Sequence, residues 1–276
     1  MNTQVKFTSL KTNKFIQFIV YSNLWISIGA ALLCWQVFHL NKLEFNLDYF
    51  LFVFFSTLVS YTVQRLFRIN KIAEFNPSAW VVKNKKIAIT LTIVGLIGAS
   101  ISLIQFISIP VILWLIPSGI ISLLYSLKKL RDVPYLKIFL ISISWGIICG
   151  VIPFIIAENL DFKIILFNFL IIMFYITAIT IPFDIRDLGL DEDAKRTIPQ
   201  MTGVPNSKNV ALALLGISLV IFLSIFNPIQ SIVYFISCIV SGFLIFNSTR
   251  KKSDFYFSFL IDGHIIFQFL LIFFLS

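Results

Sequence analysis

A short acidic segment carries the residue types that bind a metal ion. Five of the 13 acidic residues fall in the ten-residue window 184–193. Asp184, Asp187 and Asp191 are spaced three and four residues apart, so on a helix their carboxylates share one face. Three close carboxylates repel one another unless a cation lies among them, and Mg²⁺ is the oxygen-seeking ion that also binds phosphates. The spacing therefore indicates a Mg²⁺ site for an anionic, phosphate-bearing ligand.

Cationic donors follow this segment directly. Lys195 and Arg196 carry N–H groups that donate to anionic oxygens. The alternative interpretation is a solvated loop whose mixed charges serve only solubility. The regular spacing of the aspartates and their position at the end of an apolar run favour the binding site.

Two more ionisable residues lie inside the last apolar run of the chain. Asp262 and His264 begin about six residues into that run, or roughly 9 Å along a helix. Ionisable groups at membrane depth are costly and indicate function by default. Asp262 could pair with an arginine from another helix, and His264 could accept a proton. Alternatively, both lie close enough to the interface to be hydrated.

The composition shows which elements must position these residues. Hydrophobic residues make up 58% of the 276, charged residues only 13%, and the mean hydropathy is +0.94. A soluble domain carries about 25% charged residues, so the chain is predicted to be an integral membrane protein. The net charge of +9 lies in short clusters between apolar runs, which argues against nucleic-acid binding. The three cysteines lie inside apolar runs and are interpreted as small hydrophobic residues.

A membrane-spanning helix needs roughly 20 apolar residues. On that scale the sequence predicts an all-α bundle of nine transmembrane helices around a central cavity, in one membrane domain covering residues 1–276. The predicted spans are about 15–38, 47–67, 87–107, 109–127, 135–156, 162–183, 209–226, 228–247 and 256–275.

The basic residues orient this bundle. When the loops are assigned alternately to the two sides, 20 of the 22 basic residues fall on one side and only Lys42 and Lys163 on the other. Basic residues collect on the cytoplasmic side of membrane proteins. The N-terminus and the long polar loops are therefore predicted to be cytoplasmic, most simply at a plasma (inner) membrane.

Two segments carry a resemblance to a known family. The run from Asp184 to Pro199, with Gly203 after it, resembles the second aspartate-rich motif of the UbiA superfamily of intramembrane prenyltransferases. The run Leu124–Leu130, with Pro134 and Trp145, is similar to that family's Tyr-Ser…Leu-Lys-Arg…Trp loop. Nine spans and cytoplasmic active loops agree with the same family.

The resemblance implies roles for individual residues. Asp187 and Asp191 would bind Mg²⁺, and Asp184 would be a third ligand or an acid–base partner. The diphosphate of an allylic isoprenoid would be held by basic residues, and the carbocation left after its departure would be attacked by an acceptor. Those implied diphosphate contacts are Lys195, Arg196, Lys128 and Lys129, with Tyr125 as a pocket residue.

The chain departs from the family at its first motif. Where several aspartates would end the second helix, this sequence has Gln64, Arg65 and Arg68. The arginines could bind diphosphate directly, since guanidinium matches phosphate oxygens bidentately. They could instead pair with the aspartates of the second motif, anchor the helix on the cytoplasmic side, or serve another anionic lipid.

The leading hypothesis is a membrane prenyltransferase that transfers a prenyl group from an isoprenyl diphosphate to an unknown acceptor, with Mg²⁺ as cofactor. The alternatives are a non-catalytic isoprenoid-binding protein of the same fold and, less favoured, a small-molecule transporter. Transporters often show internal repeats and charges at the midplane, whereas the charges here cluster at helix ends.

Overall fold

The computed structural model describes residues 13–67, 77–126, 136–188 and 197–276, and these residues form helices joined by turns. The helices are α1 (Lys14–Tyr21), α2 (Leu24–Leu40), α3 (Leu47–Phe67), α4 (Pro77–Lys83), α5 (Lys85–Phe106), α6 (Ile109–Ser126), α7 (Leu136–Ile156), α8 (Phe162–Arg186), α9 (Ile198–Ile225), α10 (Pro228–Phe246) and α11 (Tyr256–Leu275).

Seven of these helices are long and apolar enough to cross a membrane, namely α3, α5 and α7 to α11. Together α1 and α2 would form an eighth span that is bent by 60°. The apolar part of α6, Ile109–Ile121, is shorter. The predicted all-helical membrane protein is thereby confirmed, while the count of nine crossings, the cytoplasmic N-terminus and the single domain stay predictions.

The bend between α1 and α2 lies at Asn23, whose φ is 71°. Asparagine enters the left-handed region more readily than most residues because its short polar side chain can bond locally. Here the buried Asn23 Nδ2 donates to Thr62 Oγ1 on α3 at 3.0 Å. The bend therefore ties the first span to the last turns of α3, the segment that carries Gln64 and Arg65.

Two helices contain π-helical turns, which occur frequently at functional sites. In α7 the turn covers Gly146–Val151, and a Cβ on Gly150 would lie 3.0 Å from the backbone of Phe169. A larger residue would push the backbone of α8 away by a few tenths of an ångström, so glycine favours this close approach of α7 to α8. The second π turn, Tyr256–Ile261, opens α11 and ends directly before Asp262.

The first turn of α9 is separated from the rest of the helix at Gly203, with φ 79° and ψ 161°. This backbone region is essentially restricted to glycine. A Cβ at Gly203 would meet only Pro205 Cδ, at 3.9 Å, so a larger residue would be strained rather than crowded.

We expect Gly203→Ala to lower the free energy of unfolding by about 1–3 kcal/mol, the usual cost of such backbone strain. Gly216→Ala, in open space on the same helix, is the control and should leave stability unchanged or raise it, because alanine favours helix. Denaturation of the purified protein in detergent measures the stability of both variants. Equal stability of the two would contradict the expected backbone strain at position 203.

Candidate functional site

Charged side chains collect at one end of the bundle, where α3 and α8 end and where α7 and α11 begin. We call this the charged end and define it by Arg65, Lys137, Arg186 and Asp254. Arg186 is at its centre: its Nε donates to Asp187 Oδ1 at 2.7 Å and its Nη2 donates to Asp187 Oδ2 at 3.3 Å. This bidentate arrangement is the strong form of the Arg–carboxylate pair.

Arg186 also connects α8 to the start of α11. Its Nη1 lies 3.7 Å from Asp254 Oδ1, and its guanidinium lies 5.2 and 5.6 Å from the ring centroids of Phe183 and Phe257. Burial raises the pKa of the Asp254 carboxyl above its usual value, and the nearby Arg186 opposes that rise. The guanidinium therefore neutralises carboxylates from two directions between aromatic rings.

Arg65 joins the same group from α3. Its Nη1 donates to the backbone carbonyl of Tyr21 at the end of α1, at 2.8 Å. It also interacts electrostatically with Asp254 and Asp262 of the last helix, as Arg186 does. Arg65, which stands where the family has aspartates, thus brings a positive charge towards the carboxylates of the last helix. Its interactions link α1, α3 and the last helix.

Asp184, the first carboxylate of the predicted metal site, pairs with a lysine. Lys137 Nζ on α7 donates to Asp184 Oδ1 at 2.6 Å, and the two side chains are only 15% and 1% exposed. The other carboxylate oxygen, Oδ2, is buried and has no hydrogen-bond partner among the described residues. Lys137 is one of the 20 basic residues on the predicted cytoplasmic side, and its pairing with Asp184 was not predicted from the sequence.

His264 is enclosed in a hydrogen-bonded group in the bundle interior. Its Nδ1 lies 2.8 Å from Tyr175 Oη and 3.0 Å from Ser241 Oγ. The group continues through Ser237, which donates to Gln268, and through Gln268 to Gln36 on α2. His264 is 3% exposed and is therefore buried among the helices. Such bonds hold membrane helices together, here α2, α8, α10 and α11.

A cavity of about 530 Å³ lies between α3, α6 and α7. Most of its lining is apolar, as in pockets for small organic ligands. Its polar lining residues are Ser56, Thr57, Ser60, Tyr61, Gln64, Ser118 and Ser144. From Phe52 to Gln64 the α3 wall is roughly 18 Å long, at 1.5 Å per residue. The cavity therefore suits an elongated apolar molecule.

The remaining predicted site residues are only partly described. Gln64 lines the cavity, and its Nε2 donates to Ser60 Oγ at 3.3 Å. The predicted residues that lie outside the described residues, or whose side chains do, are Arg68, Tyr125, Lys128, Lys129, Asp191, Lys195 and Arg196.

The described residues alone do not form the predicted Mg²⁺ site. Among them, no three His, Cys, Asp or Glu side chains are grouped so that they could hold a metal ion. Asp184 contacts Lys137 and Asp187 contacts Arg186, and Asp191 lies outside the described part of the chain. We therefore derive no chemical step through Mg²⁺, and the three-aspartate site stays a prediction.

Comparison with known proteins identifies the fold. No protein-family profile and no curated protein matches the sequence. A UbiA homologue from Archaeoglobus fulgidus, bound to GPP and Mg²⁺, superposes with a TM-score of 0.63 at 14% identity, over 93% of this chain and 99% of that one. The apo UbiA homologue from Aeropyrum pernix K1 gives 0.60 at 13% identity, over 92% and 98%.

A third similar structure is that of a digeranylgeranylglyceryl phosphate synthase, with a TM-score of 0.53 at 18% identity over 95% of this chain and 96% of that one. At such identities the likeness shows the fold alone. The resemblance to the UbiA superfamily, predicted from two sequence segments, is confirmed at that level.

We expect Arg186→Gln to lower the free energy of unfolding by about 1–3 kcal/mol, because it leaves the partly buried carboxylates of Asp187 and Asp254 without their cation. The exposed Arg250 provides the control, and Arg250→Gln should change stability little. Adding Asp254→Asn to Arg186→Gln should recover part of the loss, since burial disfavours the ionised Asp254 carboxyl. Thermal unfolding measures all three, and no recovery in the double variant would contradict the coupling.

Proposed function

Since the chain has the fold of the UbiA homologues, we propose that it binds an isoprenyl diphosphate and transfers the prenyl group to an acceptor. The observation that carries this proposal is the elongated apolar cavity, whose α3 wall runs towards the charged end and has Gln64 near that end. Structurally similar proteins are bound to GPP or to DMAPP, each of which joins an apolar prenyl chain to a diphosphate.

In this proposal the prenyl chain lies in the cavity and the diphosphate lies at the charged end. Transfer breaks the bond between the allylic carbon and the bridging oxygen, and the electron pair leaves with the diphosphate. Basic side chains would stabilise the charge that develops there. Trp145 and Tyr61 line the cavity, and aromatic faces attract a cation such as the allylic carbocation.

The acceptor attacks the carbocation and loses a proton in forming the product. We propose that the chain is an integral protein of a plasma (inner) membrane and that its charged end faces the cytoplasm.

A second candidate is a non-catalytic protein that binds an isoprenoid lipid in the same cavity. Its support is that Asp184 and Asp187 are each engaged by a cation, Lys137 and Arg186. A carboxylate held by a lysine or arginine has a weaker attraction for a metal ion. The two candidates differ in one product: only the transferase releases diphosphate when acceptor is present.

We expect Gly119→Leu to weaken binding of geranyl diphosphate by about 10- to 100-fold, because Gly119 lines the cavity and the larger side chain would occupy it. Gly216→Leu is the matched control: a Cβ at either glycine has nothing within 4 Å, but Gly216 does not line the cavity. Equal affinity of both variants, measured in nanodiscs, would place the ligand elsewhere.

The metal requirement is tested separately with farnesyl and geranylgeranyl diphosphate, with and without Mg²⁺, for the wild type and Asp187→Asn. If the second aspartate motif binds Mg²⁺, affinity should depend on Mg²⁺ and fall at least about tenfold in the variant, the loss of one charged ligand. Binding that is indifferent to both changes would contradict the proposed metal role of Asp187.

A further inference from the structure

The pair of Lys137 and Asp184 lies one helical turn before the residues of α7 that line the cavity. Leu140, Ile141 and Ser144 of α7 line the cavity. Lys137 precedes them by three, four and seven residues, and residues at these intervals share one face of a helix. Lys137 therefore continues the cavity-lining face of α7 by one turn.

The cavity walls run antiparallel, so this turn is at the same end as Gln64. Tyr49 Oη near the start of α3 donates to the carbonyl of Ile148 in α7, at 2.6 Å. Lys137 lies eleven residues before Ile148, and Gln64 lies fifteen residues after Tyr49. Both polar side chains are thus at the opposite end of the walls from this hydrogen bond.

The stability of the fold does not explain why Lys137 and Asp184 are buried as an ion pair. The Asp184 side chain is 1% exposed and that of Lys137 is 15% exposed. Removing two charges from water costs as much as their attraction returns, so an apolar pair would serve the fold as well. Ionisable residues retained within a membrane helix indicate a functional site.

We infer that Lys137 binds the phosphate of the ligand at the cavity entrance and that Asp184 is its positioning residue. This inference rests on the proposed function and adds a residue that the sequence motifs do not include. The lysine ammonium has three N–H donors, so it can bond Asp184 and ligand oxygens together. The contact with Asp184 Oδ1 fixes the direction in which the long, flexible side chain points.

The inference assigns Asp184 a different role from metal ligation. A metal ligand contributes to binding only through the ion, whereas a positioning residue acts only through Lys137. The two roles predict different results when both side chains are changed, because residues that act as one unit are non-additive. The buried Oδ2 oxygen, which has no hydrogen-bond partner among the described residues, makes the distinction necessary, since it could instead coordinate Mg²⁺.

The experiment compares geranyl diphosphate with geraniol, which has the same chain and no phosphate, in nanodiscs containing the full chain. We expect Lys137→Met to weaken geranyl diphosphate binding roughly 10- to 100-fold and to leave geraniol binding unchanged. Lys137→Arg should retain most of the diphosphate affinity. Lys163→Met, at the other end of α8, is the matched control and should bind both ligands as the wild type does.

Asp184→Asn should weaken diphosphate binding by less than Lys137→Met, and the double variant should bind no more weakly than Lys137→Met alone. If Lys137→Met binds geranyl diphosphate like the wild type, the inference is wrong. An additive double variant whose Asp184 change alone abolishes a Mg²⁺ requirement would make Asp184 a metal ligand and overturn its positioning role.

Two outcomes separate this inference from the proposed function. A wild-type protein that binds neither ligand contradicts the proposed function itself. A wild-type protein that binds both ligands equally supports binding of the prenyl chain in the cavity and contradicts the role of Lys137. If Lys137→Met loses both ligands, the same two ligands are compared with Lys137→Gln, which keeps an N–H donor for Asp184. Loss of geranyl diphosphate binding alone would support the role of Lys137, and unchanged binding of both ligands would contradict it.

Discussion

A charge within a bilayer needs a partner, because hydrocarbon offers no water to solvate it. The charged end of this bundle follows from that constraint. Lys137 joins α7 to α8 through Asp184, Arg186 joins α8 to α11 through Asp254, and Arg65 joins α3 to α1 through a backbone carbonyl. Since α3 and α7 are cavity walls, the contacts that satisfy these cations also hold the cavity in shape.

The bundle separates two kinds of interior. Between α2, α8, α10 and α11, His264 and its neighbours are buried and form hydrogen bonds with one another. Between α3, α6 and α7, apolar walls leave about 530 Å³. Because most of these walls are apolar, a ligand has few hydrogen-bonding groups to match there, so the cavity suits a flexible hydrocarbon chain. Specificity then has to come from polar groups at its end.

The sequence predicted most of the helices well because most of the apolar runs are long and bounded by polar residues. The predicted span 135–156, for example, corresponds to Leu136–Ile156. The bend at Asn23 escaped prediction because it depends on a contact with Thr62, 39 residues away. The Lys137–Asp184 pair escaped for the same reason, with 47 residues between its members. Helical periodicity within α7 was the signal that could have placed Lys137 on the cavity face.

The charge reversal at Arg65 changes what a diphosphate would meet. Three cations at the charged end, Arg65, Lys137 and Arg186, are close to the carboxylates of Asp184, Asp187, Asp254 and Asp262. When only these described groups are counted, each in its ionised form, the carboxylates exceed the cations by one, and an aspartate at position 65 would raise that excess to three. The arginine therefore reduces the positive charge that a diphosphate must recruit from Mg²⁺ or from neighbouring basic residues. Arg65 does not supply all of the positive charge that is needed, since an anion binds where the net charge of the site is positive. In the proposed function, Arg65 would therefore lower, but not remove, the need for further positive charge when the leaving diphosphate gains its electron pair.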